Sequence, residues 1–284
     1  MCPASRFQTT AIIGLGLIGG SLGAALRGAG TFVRGYDADV SSATIAERRG
    51  LVDSIAPDIE GAVAGADAII LCIPIGAILD LLPRIDALAP PSTLILDTGS
   101  VKRPVVRAMS RLPGASRALG GHPLAGKETS GPEGAESAIF HGRCFILTPT
   151  DATEPVTLER AGAFVRAIGS RPVIMPAEKH DRTVARTSHL PQILATILAA
   201  ELRQGDEDCA GPGLRDMIRL AASDPALWRD ILLVNADSIV AAAEAYTKRL
   251  GALVRAIEEE DSATIEEHLL NGREAARRVR ELAA

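Results

Sequence analysis

The short apolar run Ala11–Gly14 leads without interruption into Gly14-Leu15-Gly16-Leu17-Ile18-Gly19. A helix-length segment follows, Gly19–Arg27, and then a second β-rich run, Val33–Tyr36, with Asp37 directly after it. Few folds accept a strand, a turn with three spaced glycines, a helix and a second strand closed by an acid. Gly14 suits the tight turn, Gly16 lets the backbone approach a pyrophosphate, and Gly19 allows the helix to pack close to the strand. The helix's unpaired N–H groups and its dipole then face the phosphates. Asp37 stands 23 residues after Gly14, where a carboxylate grips the adenosine ribose hydroxyls and repels a 2′-phosphate. No arginine follows directly (the next residues are Ala38 and Asp39), so NAD is favoured over NADP. The candidate cofactor-binding residues are Gly14, Gly16, Leu17, Ile18, Gly19 and Asp37.

The same alternation continues downstream. Further strand candidates are Ala68–Ile73, Leu94–Asp97, Arg117–Gly120, Cys144–Thr148 and Pro172–Met175, and helical spacing fills the segments between them. Several of the strands are apolar throughout, as expected where both faces of a parallel sheet are covered. After Pro176 the strand signals stop and the chain reads as helical. Asp224 and Pro225 suit the cap and first residue of one helix. Ile239, Ala243, Tyr246, Leu250, Leu253 and Ile257 follow a 4-3-4-3-4 spacing, a seam that must bury against another helix, in its own domain or in a second subunit. The expectation is a Rossmann-type α/β nucleotide-binding domain over residues 1–175, followed by an all-α helical domain over residues 176–284.

Composition narrows the function classes. The net charge is −5, and only 3% of residues are aromatic. No basic block stands out, which argues against nucleic acid. The four cysteines are widely separated, which fits a reducing compartment and offers neither a disulfide framework nor a metal site. The apolar stretch Ala11–Leu26 could pass for a signal-peptide core, but it contains five glycines and runs straight into further strand and helix signals. A cytoplasmic location without membrane contact is expected.

Hydride transfer from an alcohol needs a base for the hydroxyl proton, and histidine is the usual one near neutral pH. There are five histidines, at 122, 141, 180, 189 and 268. His122, in Gly120-Gly121-His122-Pro123, is expected just past a strand, where open parallel sheets gather their ligands. Ser100 also follows a strand, and reads either as a helix cap or as a group orienting base and substrate. His180 lies nine residues before His189, about 900° along an unbroken helix, so the two are placed on opposite faces. His180, His141 and His268 are taken as surface or structural residues. Arg219, three residues after Asp216, reads either as half of a surface ion pair or as a fork for a substrate carboxylate.

Five separated segments together resemble the prephenate/arogenate dehydrogenase family of tyrosine biosynthesis. They are Gly14–Gly20 with Gly35-Tyr36-Asp37, Asp97–Lys102, the loop Gly120–Gly131, Ser188-His189-Leu190-Pro191 and Ser223–Asp230. The resemblance implies NAD-dependent oxidative decarboxylation of prephenate, or of arogenate, by a homodimer joined through its helical domain. It implies His122 as proton acceptor and Ser100 as the residue that orients it. It places His189 in the substrate pocket and Arg219 on a substrate carboxylate. Glu128 and Asp216 match charged positions paired near that arginine, and Trp228 matches an aromatic near the site. Lys127, if it faces the pocket, would repel arogenate's ammonium group and favour prephenate; otherwise it faces solvent. A β-hydroxyacid dehydrogenase is the nearest competing enzyme, but it would need a lysine where Ser188–Pro191 stands. A non-catalytic NAD-sensing module would leave the His122 loop without a role.

Overall fold

The computed structural model describes residues 7–127 and 129–283. The first half of the sheet comprises β1 (Thr9–Ile13), β2 (Phe32–Tyr36), β3 (Ser54–Ile55) and β4 (Ala68–Leu71). Helices α1 (Leu17–Gly28), α2 (Val40–Arg48) and α3 (Ile59–Val63) connect them. Next come α4 (Ile75–Leu88), β5 (Leu94–Asp97), α5 (Arg103–Met109), β6 (Ala118–Pro123), β7 (Cys144–Pro149), α6 (Pro155–Ala167) and β8 (Arg171–Ile174). The eight strands are ordered β3-β2-β1-β4-β5-β6-β7-β8. All neighbours are parallel except β6 and β7, which run antiparallel. All seven sequence-predicted strands are present. Only β3 had gone unseen, a two-residue edge strand too short to carry a pattern.

The apolar strands are covered on both faces. Ile12, Ile70 and Leu96 join Leu22, Leu26, Phe145 and Phe164 on one side. Ile13, Ile69, Leu71 and Ile95 meet Ile78, Leu82, Val105 and Met109 on the other. Adjacent strand residues point to opposite faces, so a continuous apolar run such as Ala68–Leu71 supplies both cores at once.

Beyond the sheet the chain is helical. Helices α7 (Ala177–Val184) and α8 (Leu190–Ala200) are joined end to end by one π-helical turn, Ala185–His189. Then follow α9 (Pro212–Ile218), α10 (Pro225–Val234), α11 (Ala236–Glu258) and α12 (Ser262–Ala283). Asp224 caps α10 by accepting from the Ala226 N–H, at 2.8 Å. The chain groups into two compact units, Met1–Asn235 and Ala236–Ala284. The first therefore extends past the end of the strand signals, because Ile231 and Trp228 of α10 pack into the second sheet-face core. The second is a helical hairpin of α11 and α12, with Tyr246, Leu250, Val254 and Ile257 of α11 exposed. Among the described residues no helix is long and apolar enough to cross a membrane.

Candidate active site

The glycine turn has the expected geometry. Gly14 has φ +94°, and a Cβ there would lie 2.4 Å from the Cys72 carbonyl oxygen. A Cβ on Gly19 would lie 1.8 Å from the Gly14 carbonyl oxygen, so α1 meets the turn at backbone distance. Gly16 differs: nothing lies within 4 Å of where its Cβ would be. The backbone there is open to the approach of a ligand. Helix α1 begins at Leu17 with no side-chain cap and no acid in its first turn. The N–H groups of Leu17 and Ile18 are thus left for an anion. Asp37 accepts from the Leu15 N–H at 2.6 Å and from the Asp39 N–H at 2.9 Å. Its carboxylate braces the glycine turn. These residues fit a dinucleotide.

His122 lies inside β6 rather than beyond it, one residue before the strand ends. It stands three strands from β1, roughly 14 Å at ordinary strand spacing, and at the same carboxyl edge as the glycine turn. The two glycines before it are needed for close approach. A Cβ on Gly121 would lie 2.5 Å from the Asp97 carbonyl oxygen, and one on Gly120 would lie 3.0 Å from Lys102 Cδ. The Asp97 carboxylate anchors this edge, accepting from the N–H groups of Gly99 (2.8 Å) and Gly121 (3.1 Å) and from Lys102 Nζ. Lys102 and Asp97 are both fully buried. Burial pulls the Lys102 ammonium below its ordinary value, against the opposing pull of Asp97 and Asp181.

Sequence reasoning separated His180 from this site, and that placement is corrected. His180 is fully buried, and its Nε2 lies 2.8 Å from His122 Nδ1. Its Nδ1 lies 2.7 Å from Asp181 Oδ1. The physical reason is the π-helical turn between α7 and α8. One extra residue in a turn rotates everything beyond it by about 100°, which reduces the 180° separation of His180 and His189 to about 80°. Both histidines then reach one network. Asn235 donates through Nδ2 to the Asp181 carbonyl (2.9 Å) and to His189 Nδ1 (3.2 Å), while its Oδ1 accepts from Arg103 (3.0 Å). The Asp181 carboxylate also accepts from the N–H groups of Lys102 (2.8 Å) and Arg103 (2.9 Å). Adjacent His180 and Asp181 were the one sequence signal for this, and the assumption of an unbroken helix hid it.

The site keeps its histidines neutral. Burial, reinforced by His180, Lys102 and His189, holds His122 well below the ordinary imidazole range. Burial brings His189 down to about 4. With Nδ1 accepting from Asn235, His189 carries its hydrogen on Nε2, which is buried without a protein partner among the described residues. The Trp228 ring stands edge-on to His189, with centroids 5.9 Å apart. Ser100 is half-buried, and the following helix starts at Arg103 with Lys102 at its cap position, so Ser100 is not that helix's N-cap. Arg219 and Asp216 are exposed, Asp216 near the end of α9 and Arg219 at the start of the short turn that follows it. Lys127 is exposed and pairs with Glu136 at 2.6 Å. Glu128 lies outside the described residues.

Comparison with known proteins agrees with this geometry. The prephenate dehydrogenase nucleotide-binding domain matches residues 22–174, and the prephenate dehydrogenase dimerization domain matches residues 176–271. The cyclohexadienyl dehydrogenase of Zymomonas mobilis is 32% identical over 278 residues, covering 95% of each chain. The prephenate dehydrogenase of Bacillus subtilis is 31% identical over 268 residues, 91% of this chain and 72% of that one. The crystal structure of A. aeolicus prephenate dehydrogenase in complex with hydroxyphenyl propionate and NAD+ superposes with a TM-score of 0.88 at 28% identity. That match covers 96% of this chain and 99% of that chain. With a glycine turn shaped for a dinucleotide, a buried neutral histidine on the same sheet edge and these matches along nearly its whole length, the chain belongs to the prephenate dehydrogenase family.

Proposed function

We propose that this protein oxidises prephenate to 4-hydroxyphenylpyruvate and CO2 with NAD as the acceptor. The observation that carries the reading is His122, neutral, nine-tenths buried and on the same sheet edge as a complete dinucleotide turn. NAD, held by Gly14, Gly16, Leu17, Ile18, Gly19 and Asp37, supplies a hydride acceptor for the ring carbinol. His122 takes the hydroxyl proton as the carbinol becomes a dienone. The ring carboxylate is then a vinylogous β-keto acid, and its loss aromatises the ring. The electron pair of the breaking C–C bond ends on the ring oxygen, where His122 can return the proton. The overall reaction releases no net proton, so one histidine serves as base and then as acid.

The neutral N–H of His189, without a partner among the described residues, suits a substrate oxygen, with Trp228 edge-on to the imidazole. Arg219 and Asp216 are assigned to the end of the site that takes a substrate carboxylate, and Ser100 to the reacting hydroxyl. The exposed apolar positions of α11 support a homodimer, and the widely spaced cysteines support a cytoplasmic location. A second reading, arogenate in place of or beside prephenate, is favoured by the Lys127–Glu136 pair, in which a carboxylate partly offsets that lysine's repulsion of an ammonium group.

Purified protein offered prephenate or arogenate, each with NAD or NADP, tests both readings. Reduction of NAD with prephenate, together with 4-hydroxyphenylpyruvate in the product, is expected. Reduction with arogenate alone would move the assignment to the second reading, and silence with all four pairs would overturn both. Arg219→Ala is expected to raise the substrate KM about tenfold or more with kcat little changed. An unchanged KM would remove Arg219 from the substrate site.

A further inference from the structure

Two of the most deeply buried polar residues near His122 have no task in the reaction as written. His180 and Asp181 are both fully buried, and they are linked to His122 in a line. Asp181 Oδ1 is 2.7 Å from His180 Nδ1, and His180 Nε2 is 2.8 Å from His122 Nδ1. A carboxylate only accepts, so His180 carries its hydrogen on Nδ1 and presents a lone pair at Nε2. His122 must then donate from Nδ1, which leaves its lone pair on Nε2. Asp181 is held as the anion this requires: it accepts from two backbone N–H groups, from Arg103 Nε (3.1 Å) and from His180.

We infer that His180 and Asp181 are positioning residues that hold His122 in the Nδ1–H form, so that Nε2 is always the atom that meets the substrate hydroxyl. The inference rests on His122 being the base. In the step itself the substrate O–H bond breaks and its proton bonds to His122 Nε2. The Nδ1–H bonds of His122 and His180 stay intact, and no proton travels along the line. The imidazolium that forms donates more strongly to His180, whose own N–H ends on the Asp181 carboxylate, so the new charge is met by groups already aligned.

The intervening histidine has a physical purpose. A carboxylate bonded directly to His122 would favour its protonated form and leave the base occupied near neutral pH. A neutral imidazole between them transmits the orientation while setting the negative charge one ring further away. The other charged and titratable groups around the line work in the same sense or are balanced. Lys102 opposes a positive charge on His122 and is itself paired with Asp97, His189 is neutral, and Arg103 is bonded to Asp181.

Histidine-labelled full-length protein with NAD bound, observed by 15N NMR, reads the His122 tautomer without any turnover. The wild type is expected to show a protonated Nδ1 and a bare Nε2. His180→Asn keeps a donor near Asp181 but removes the acceptor, and should leave His122 in a mixture of tautomers. His180→Gln places an amide oxygen near the lost Nε2 and should restore the single tautomer. With the substrate that the wild type uses, His180→Asn should lower kcat about 100-fold or more with KM changed less than about threefold. His180→Gln should recover about tenfold of that loss, which a purely structural role would not predict. A wild-type His122 protonated on Nε2 overturns the inference, and so does a His180→Asn protein with unaltered tautomer and kcat. If His180→Asn does not fold, the wild type and His180→Gln still decide it. Absence of turnover by the wild type defeats the proposed reaction, whereas the NMR result bears on the His180–His122 contact alone.

Discussion

Gly16 and Gly19 make opposite demands although they stand three residues apart. At Gly19 a Cβ would collide with backbone that has nowhere to go, at 1.8 Å from the Gly14 carbonyl oxygen. Gly19→Ala is therefore expected to destabilise the fold by about 3 kcal/mol or more, seen as a lower midpoint in denaturant. At Gly16 the protein has room, so Gly16→Ala should leave that midpoint within experimental scatter. Its methyl would instead meet the pyrophosphate, and the KM for NAD should rise about tenfold or more, equivalent to about 1.4 kcal/mol. If Gly16→Ala lost stability and kept its NAD affinity, the assignment of the turn would be wrong. The glycines were legible in the sequence because each role follows from the absence of a Cβ. The bond from Leu15 N–H to Asp37, which ties the turn to the end of β2, was not, since it depends on how β1 and β2 lie side by side.

The segment between β5 and α5 holds an element that composition would never suggest, a lysine with no exposed surface. Lys102 is retained there by Asp97, and breaking a buried pair costs about 3–5 kcal/mol because the surviving charge loses its counter-charge. Lys102→Met should show a loss of that size in chemical denaturation. Adding Asp97→Asn should recover part of it, the sign of coupling in a double-mutant cycle. Lys102 also opposes protonation of His122, so in Lys102→Met the acidic limb of kcat/KM should move to higher pH. An acidic limb that stays in place would show that the lysine's charge does not reach the base. Helices α7 and α8 teach a related lesson. The end of strand signals after Pro176 marked the whole stretch as helical, but the single π-helical turn that brings His180 and His189 into one network leaves no mark in the hydrophobic pattern.

Stability of the complete chain should carry the signature of its three buried histidines. In the folded protein His122, His180 and His189 all lie below the ordinary imidazole value of 6.5, His189 at about 4. The unfolded chain therefore binds protons first as pH falls, and stability is fully present above about 6.5 and lost on the way down towards the folded values. Each histidine contributes a slope of at most about 1.4 kcal/mol per pH unit. Thermal midpoints are expected to decline between pH 6.5 and 4, and a flat profile across that window would contradict the neutral, buried state of the site. The exposed apolar positions Tyr246, Leu250, Val254 and Ile257 of α11 call for a different measurement. Sedimentation should show a dimer, and Leu250→Asp should shift it towards monomer without changing helix content by circular dichroism. A wild-type monomer would defeat the dimer proposal.

What the amino-acid order settled was local or repetitive. Strand alternation, the glycine turn with its acid, His122 at a sheet edge and the change from mixed to helical structure after Pro176 all follow from short-range patterns that persist in any context. Tertiary structure alone decided which polar residues meet. Asp97 finds Lys102 and Gly121, and Asp181 finds His180, Lys102 and Arg103. The physical reason is dielectric. A charge or imidazole in water is worth little wherever it lies along the chain, and the same group becomes decisive only when folding removes its water and leaves particular neighbours to replace it.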